Sequence, residues 1–176
     1  MSMSAVIEIV EYNPLWPAMF QSEKSFLESI ARKWIYGQIE HVGSTSVPGL
    51  AAKPVIDIMF GVESLGSSRE AIEVLQHGGY CYAPYKTDVM HWFCKPSEHY
   101  RTHHLHLIPF NSPLWHERIN FRNMLRSNNE LASDYASLKR GLALRYPENR
   151  EAYTNQKWPF IQKALKQLRA ESRSRG

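Results

Sequence analysis

The hydrophobic pattern of the chain changes at Asn111, and this change limits the folds that the chain can adopt. Before Asn111, several short segments alternate between apolar and polar residues, which is typical of strands that bury one face. After Asn111, apolar residues recur at helical spacing, which is typical of helices that bury one side. Strands followed by helices predict an α+β domain with a mixed β-sheet, flanking helices and a C-terminal helical layer.

The individual elements follow from the same patterns. We expect strands in AVIEIVEY, YGQIEHVG, KPVIDIMFGV, YCYAPY, VMHWFCKP and RTHHLHLIPF. We expect helices in NPLWPAMFQSEKSFLESIARKW, SSREAIEVLQHGGY, SPLWHERINFRNMLRSN, NNELASDYASLKRGLALRYP and NREAYTNQKWPFIQKALKQLRAESR. Gly78 and Gly79 should close the second helix, because glycine adopts the left-handed conformation of a C-cap at little cost. The segment from Ser44 to Ala52 should form a turn or a short helix between two strands.

Composition narrows the class of protein. The chain has 176 residues, 43% of them hydrophobic, so we expect one globular domain over residues 1–170 and a frayed tail over residues 171–176. Two cysteines without CxxC spacing favour free thiols in the cytoplasm over a disulfide framework. No segment has the apolar run of a membrane-spanning helix, so no membrane partner is expected. The net charge of +4 favours anionic ligands, but no aromatic residues are interleaved with the basic tail, so nucleic acid is not an expected partner.

A single carboxylate, Asp57, interrupts the apolar segment KPVIDIMFGV. Burying an ionised carboxylate costs on the order of several kcal/mol unless a cation or hydrogen-bond donors compensate it, so a partner should face Asp57. Strand alternation places Asp57 on the face opposite to Ile56 and Ile58. The same rule places His104 and His106 together on one face of RTHHLHLIPF. If the two strands are neighbours, the three polar side chains converge.

A carboxylate beside two imidazoles predicts a divalent metal site, because imidazole suits Zn, Mn, Fe or Ni better than it suits Mg. Asp57, His104 and His106 are therefore candidate metal ligands and candidate catalytic residues, with a histidine as second ligand or general base. The other interpretation is structural. Histidines in a half-buried strand also hydrogen-bond one another or a carboxylate without any metal.

Gly43 and Ser44 lie between a predicted strand and a predicted short helix. Such a junction offers backbone N–H groups and the Ser44 hydroxyl to a phosphate, and the helix N-terminus adds a favourable field. A Gly-Ser pair is also common in ordinary turns, so the pair alone does not separate a phosphate site from plain turn chemistry.

The segments IEHVGSTSVPGLAAKPVIDIMFGV, HHLHLIPF, FRNMLRSN, YASLK and YTNQKWPFI together resemble the GrpB family. The resemblance runs from VEYNPLWPAMF to KWPFIQKAL, and the block EHVGSTSVPGLAAKP is highly specific. It implies a fold like that of the nucleotidyltransferase (polymerase beta-like) superfamily. In that superfamily a Gly-Ser turn, a short helix and an aspartate on the next strand hold triphosphate and metal. Some relatives carry a GrpB-like domain fused to a dephospho-CoA kinase, which points toward coenzyme A metabolism.

One position departs from that superfamily. Two-metal nucleotidyl transfer uses a pair of strand carboxylates and a third on a neighbouring strand. Met59 stands at the second position of the pair, and a thioether is a poor ligand for Mg, which prefers oxygen donors. Either the site uses one softer metal, or it binds a nucleotide without polymerase-type chemistry. Lys53, Arg122 and Lys157 are the preferred additional contacts for phosphate.

Three functions are compatible with these residues. The first is metal-dependent transfer of a nucleotidyl or phosphoryl group to a small acceptor, with Mn, Mg, Zn or Ni as the divalent metal. The second is a catalytically degenerate module that binds a nucleotide or a coenzyme A precursor. The third is a metal-dependent hydrolase. Each takes a nucleotide or another phosphate-bearing small molecule as its partner. The aromatic residues at helical spacing, Trp158 among them, are expected in the core rather than as a base-stacking platform.

Overall fold

A computed structural model describes residues 6–174. Its helices are α1 (Trp16–Ala31), α2 (Ala71–His77), α3 (Pro113–Ser127), α4 (Asn129–Arg145) and α5 (Arg150–Ser174). Its strands are β1 (Ile39–Val42), β2 (Ile56–Val62), β3 (Cys81–Tyr82), β4 (His91–Pro96) and β5 (Arg101–Pro109). Two short 3-10 helices cover Arg32–Trp34 and Ser44–Ser46. The predicted α+β class is confirmed.

The strands form one mixed sheet in the order β1-β2-β5-β4-β3. Strands β2 and β5 are parallel neighbours, and the other adjacent pairs are antiparallel. The register pairs Asp57 with His104 and Met59 with His106. Since directly paired residues point to the same face of a sheet, the predicted convergence of Asp57 with the two histidines is confirmed.

Helices cover both faces of the sheet. Helices α1 and α2 bury Leu27 and Leu75 against the face that carries Ile56 and Leu105. Helix α3 covers the opposite face, where Trp115 packs with residues of β1, β2 and β5. Helices α4 and α5 join the same side through two further apolar clusters. The C-terminal helical layer therefore lies over the face that carries Asp57.

The predicted first strand is wrong. Within the described part of AVIEIVEY, one isolated bridge joins Val10 to Ala52, and no strand forms. Its alternating apolar residues are buried in another way, because Ile7 packs with Leu142 and Tyr153 and its N–H donates to a backbone carbonyl near the end of α4. Alternation of apolar and polar residues thus indicates that one side of an extended segment is buried, and such burial does not require pairing in a sheet.

The ends of two helices also bear on the predictions. Gly79, just after α2, has a φ of 91°, so the left-handed conformation expected at this C-terminus is confirmed. Helix α5 continues to Ser174, and the last two residues of the chain lie outside the described residues. The frayed tail over residues 171–176 stays a prediction. No helix in the described chain is long and apolar enough to cross a membrane.

Candidate functional site

Asp57, His104 and His106 form a compact group on the face of the sheet below the C-terminal helices. His104 Nδ1 lies 2.9 Å from Asp57 Oδ1 and forms a hydrogen bond with it. His106 Nε2 lies 3.5 Å from the same oxygen, beyond the usual length of a hydrogen bond. The carboxyl side chain keeps 28% of its surface exposed, whereas the two imidazoles keep 13% and 7%. The group is therefore open to solvent on its carboxylate side.

The electrostatics of the group favour a carboxylate with two neutral imidazoles at neutral pH. Burial acts to raise the pKa of Asp57, but the imidazoles of His104 and His106 outweigh it and hold that pKa well below its ordinary value. Burial lowers the pKa of His104 and lowers the pKa of His106 to about 3. Neutral imidazole and ionised carboxylate are the forms that bind metal ions.

The donor atoms of this group fit a metal ion. One ligand atom from each of the three side chains lies within 4.8 Å of the others. Atoms that share a metal at about 2.0–2.2 Å lie about 3–3.5 Å apart, so small side-chain movements would complete the site. His104 Nε2 and both ring nitrogens of His106 are buried without a hydrogen-bond partner in the structure. Unpaired buried polar atoms are costly, and a bound ligand would remove that cost.

The turn at Gly43 approaches the carboxylate closely. Gly43 has a φ of 70°, and a Cβ built there would lie 2.5 Å from Asp57 Oδ2. A side chain at this position would therefore meet the carboxyl group and adopt a backbone conformation that L-residues disfavour. Ser44 begins the 3-10 helix Ser44–Ser46, and the next strand is β2 with Asp57. The structure thus has the order of turn, short helix and aspartate that the family resemblance implies.

Two of the three predicted basic contacts lie beside the group. Lys53 Nζ lies 5.4 Å and Lys157 Nζ 4.5 Å from the centre of the Tyr153 ring, so both ammonium groups lie close to one aromatic ring. Burial, with the charge of the other lysine, lowers the pKa of Lys157 to about 8. Burial also lowers the pKa of Lys53, against the favourable charge of Asp57. Both lysines are close enough to Asp57 to interact with it electrostatically.

The third predicted contact, Arg122, is engaged elsewhere. Its guanidinium lies 2.6 Å from Glu40 Oε2 and donates to the carbonyl oxygen of His41 at 2.9 Å and to Asn123 Oδ1 at 3.1 Å. These contacts attach α3 to β1. A phosphate-binding role for Arg122 would require the loss of a largely buried ion pair, so that role stays a prediction without a contact to support it.

Sequence reasoning missed Arg118. This residue of α3 interacts electrostatically with Asp57, and one of its guanidinium nitrogens lies 3.8 Å from Met90 Sδ. Burial lowers the pKa of Arg118, whereas the charge of Asp57 acts to raise it. A signal was available, since Arg118 follows the buried Trp115 by three positions and therefore lies on the same side of the helix.

Comparisons with known proteins agree on one family. A family model described as GrpB protein matches residues 6–167. The glutamate-rich protein GrpB of Alkalihalophilus pseudofirmus is 34% identical over 91% of this chain and 94% of its own length. The chain belongs to the GrpB family.

A solved structure and a longer relative extend the family comparison. The crystal structure of the conserved protein GrpB from Enterococcus faecalis is 33% identical and aligns with a TM-score of 0.82, over 91% of this chain and 96% of that chain. A protein of Mycolicibacterium paratuberculosis named dephospho-CoA kinase is 27% identical over 92% of this chain. The match covers 46% of that longer protein.

Met59 stands two positions after Asp57, where two-metal nucleotidyl transfer would use a second carboxylate. It lies on the same face as Asp57, as predicted, but it is fully buried in an apolar cluster with Met90 and Trp115. Within residues 6–174, the only group of three or more potential metal-binding side chains is the one that contains Asp57.

Proposed function

We propose that this GrpB protein binds one divalent transition metal on Asp57, His104 and His106 and transfers a phosphoryl or nucleotidyl group from a phosphate-bearing small molecule held beside it to a small acceptor, while the rest of the phosphate donor leaves. The observation that carries the proposal is the set of three donor side chains within 4.8 Å, with three buried imidazole nitrogens that lack partners. When bound, the metal would neutralise phosphate charge and polarise the bond that is broken. The transition metals fit better than Mg, because two of the three donors are imidazoles.

The basic side chains around the cluster support an anionic ligand. Lys53, Arg118 and Lys157 all interact electrostatically with Asp57, yet in the described part of the chain none of them forms an ion pair with a carboxylate. One carboxylate and three cations leave an excess of positive charge. Such a surface attracts phosphate groups and offers them several donors.

The Gly43 turn supplies the remaining proposed contacts. The backbone of Gly43 and Ser44 lies against the Asp57 carboxylate, so a phosphate oxygen that binds a metal there would also meet the turn. In this arrangement the turn and the lysines orient the phosphates.

A second candidate, binding without turnover, is favoured by one observation. The metal cluster contains a single carboxylate, and the position of a second one is taken by buried Met59. Transfer at two metals needs more carboxylates than the cluster offers. A module that binds a nucleotide or a coenzyme A precursor would need the phosphate contacts alone, and the relative named dephospho-CoA kinase makes such precursors suitable probes.

A turnover and binding experiment separates the two candidates. Labelled ATP and dephospho-CoA are incubated with the native protein in Mn²⁺, and products and binding are measured together. Asp57→Asn should abolish product formation or ligand binding while the melting temperature stays within a few degrees of the native value, because the amide keeps the size of the carboxyl group but removes its charge. Asp134→Asn, an exposed change on α4, is the matched control.

Each outcome has a distinct meaning. Product that is lost in Asp57→Asn and kept in Asp134→Asn identifies a transferase. Binding without product, lost in Asp57→Asn, identifies the binding module. Undiminished binding and turnover in Asp57→Asn would contradict both functions and leave the structural interpretation of the histidines.

A further inference from the structure

Two exposed aromatic rings and a lysine form a separate surface cluster. Tyr85 is 46% exposed and Trp158 is 39% exposed, although the sequence predicts Trp158 in the core. The Nζ atom of Lys86 lies 5.4 Å from the centre of the Tyr85 ring and 5.6 Å from that of Trp158. Tyr85 and Lys86 belong to the loop between β3 and β4, whereas Trp158 belongs to α5. We call these three residues the aromatic cluster.

The loop that carries Tyr85 and Lys86 is held in a defined conformation. Lys86 has a φ of 48°, which is uncommon for a residue with a side chain. Its carbonyl oxygen accepts hydrogen bonds from the N–H groups of Val89 at 3.0 Å and Met90 at 3.1 Å. Met90 is fully buried, so the loop is attached to the core one residue before β4.

The aromatic cluster is connected to the Asp57 group from two sides. On the loop side, Met90 contacts the guanidinium of Arg118, which interacts electrostatically with both Tyr85 and Asp57. On the helix side, Trp158 directly follows Lys157, which interacts electrostatically with Asp57. Tyr85 therefore interacts with a cation that also acts on Asp57, and Trp158 is next in the chain to a second such cation.

We propose that Tyr85 and Trp158 bind the aromatic base of a nucleotide whose phosphates lie on the Asp57 side. The proposal rests on the function proposed above and defines its ligand more narrowly: a nucleotide rather than an inorganic phosphate or a sugar phosphate. Aromatic side chains stack on any nucleobase, because every base has a flat π-face. The Lys86 ammonium is a point charge on a flexible chain, so it turns toward a phosphate oxygen when a base occupies the rings.

The charge next to the rings favours this ligand over a purely apolar one. The Lys86 ammonium lies near both rings, Arg118 interacts electrostatically with Tyr85, and Lys157 directly precedes Trp158 in the chain. A nucleotide combines a stacking base with phosphates that match these cations. An apolar ligand would leave the cations without partners.

The test compares a ligand that has a base with one that has none. Calorimetry in Mn²⁺ measures the affinity of native protein for ATP, GTP, CTP and UTP, and for inorganic tripolyphosphate. The double variant Tyr85→Leu, Trp158→Leu should bind the preferred nucleotide about tenfold or more weakly, in the range expected for loss of base stacking, and should bind tripolyphosphate as the native protein does. Lys157→Met should weaken both ligands.

A matched control removes an exposed aromatic ring from another part of the surface. Tyr36 is 54% exposed, and its N–H donates to the carbonyl oxygen of Gly61, at the end of β2 remote from Asp57. Tyr36→Leu should leave every affinity unchanged. All variants are compared by thermal melting, so that a general loss of structure is recognised.

The failures of the two proposals are distinguishable. If native protein binds tripolyphosphate as tightly as every nucleotide, or if the double variant weakens both kinds of ligand equally, the base subsite is contradicted while the phosphate site stands. If native protein binds neither kind of ligand in Mn²⁺, both proposals are contradicted.

Discussion

Two largely buried carboxylates, Glu23 and Asp57, lie on opposite faces of the sheet and differ in how they are compensated. Glu23, on the α1 side, accepts a hydrogen bond from the Tyr80 hydroxyl at 2.6 Å and pairs with the Lys95 ammonium at 2.5 Å. Asp57, below the C-terminal helices, pairs only with imidazoles among the described residues. The neighbours His103 and His104 of β5 divide between the two faces.

The difference separates a structural group from a ligand-binding group. On the Glu23 face, a full cation and a hydroxyl compensate the carboxylate within the chain. On the Asp57 face, the imidazoles are neutral at pH 7 and keep three nitrogens unpaired, and within residues 6–174 Lys53, Arg118 and Lys157 form no ion pair with a carboxylate. Of the four unpaired buried side-chain atoms in residues 6–174, only His91 Nδ1 belongs elsewhere. We therefore expect substitutions on the Glu23 face to change stability and those on the Asp57 face to change binding.

The largest expected effect is on stability and comes from Lys95→Met. Removing the cation leaves the Glu23 carboxylate with the Tyr80 hydroxyl and the more distant His103 ring, so the free energy of unfolding should fall by about 3 kcal/mol. Lys33→Met, which breaks the exposed pair with Glu70, should cost less than about 1 kcal/mol. Urea denaturation measures both. Metal affinity should be the same in both variants. If folded Lys95→Met lost metal binding, the proposed separation between a structural Glu23 face and a ligand-binding Asp57 face would be contradicted.

The second effect is on metal affinity and comes from Gly43→Ala in the turn beside Asp57. The new Cβ would have to displace the Asp57 carboxyl group, so metal affinity should fall by about tenfold or more. Gly49→Ala is an unusually close control, because Gly49 has a φ of 78° and a Cβ there would meet no atom within 4 Å. Both variants should lose about 1 kcal/mol of stability through backbone strain. Equal metal affinity in the two variants would show that the turn does not shape the site.

The third effect is on phosphate binding and comes from Lys157→Met. Lys157→Met should weaken tripolyphosphate binding by about 1.5–3 kcal/mol, the contribution of a hydrogen bond to a charged group. Lys163→Met, an exposed change on the same helix, should leave binding unchanged. Calorimetry in Mn²⁺ gives both values. Metal affinity should not fall in Lys157→Met, since the change removes a positive charge near the metal.

The smallest effects are expected from pH. The pKa values of His104 and His106 lie below the ordinary value of 6.5, so protons should compete with the metal only in acid, and affinity should be constant from about pH 8 to pH 6.5. Phosphate binding should weaken above about pH 8, where Lys157 loses its proton. Calorimetry from pH 5.5 to 9 measures both trends. Metal affinity that already falls between pH 8 and 7 would contradict neutral imidazoles at neutral pH.

The sequence predicted most of the fold and the centre of the site because both follow from local periodicity. Alternation in β2 and β5 placed Asp57, His104 and His106 on common faces, and parallel pairing brought them together. Periodicity does not identify the partner of an extended segment, so AVIEIVEY, residues 5–12, was predicted as a strand. It also does not show which long side chain contacts which charged group. The sequence therefore did not predict that Arg122 pairs with Glu40, and Arg118 was missed.

The central claim is that the Asp57 face is completed by a metal ion, and anomalous diffraction from crystals grown with Mn²⁺ tests it most directly. We predict one strong anomalous peak within about 2.0–2.3 Å of an Asp57 oxygen and of one nitrogen each from His104 and His106. The hydrogen bond between His104 Nδ1 and Asp57 Oδ1 should then be broken or lengthened. The account would be contradicted if crystals saturated with Mn²⁺, and others saturated with Zn²⁺, showed no anomalous peak at this site and kept the hydrogen bond intact.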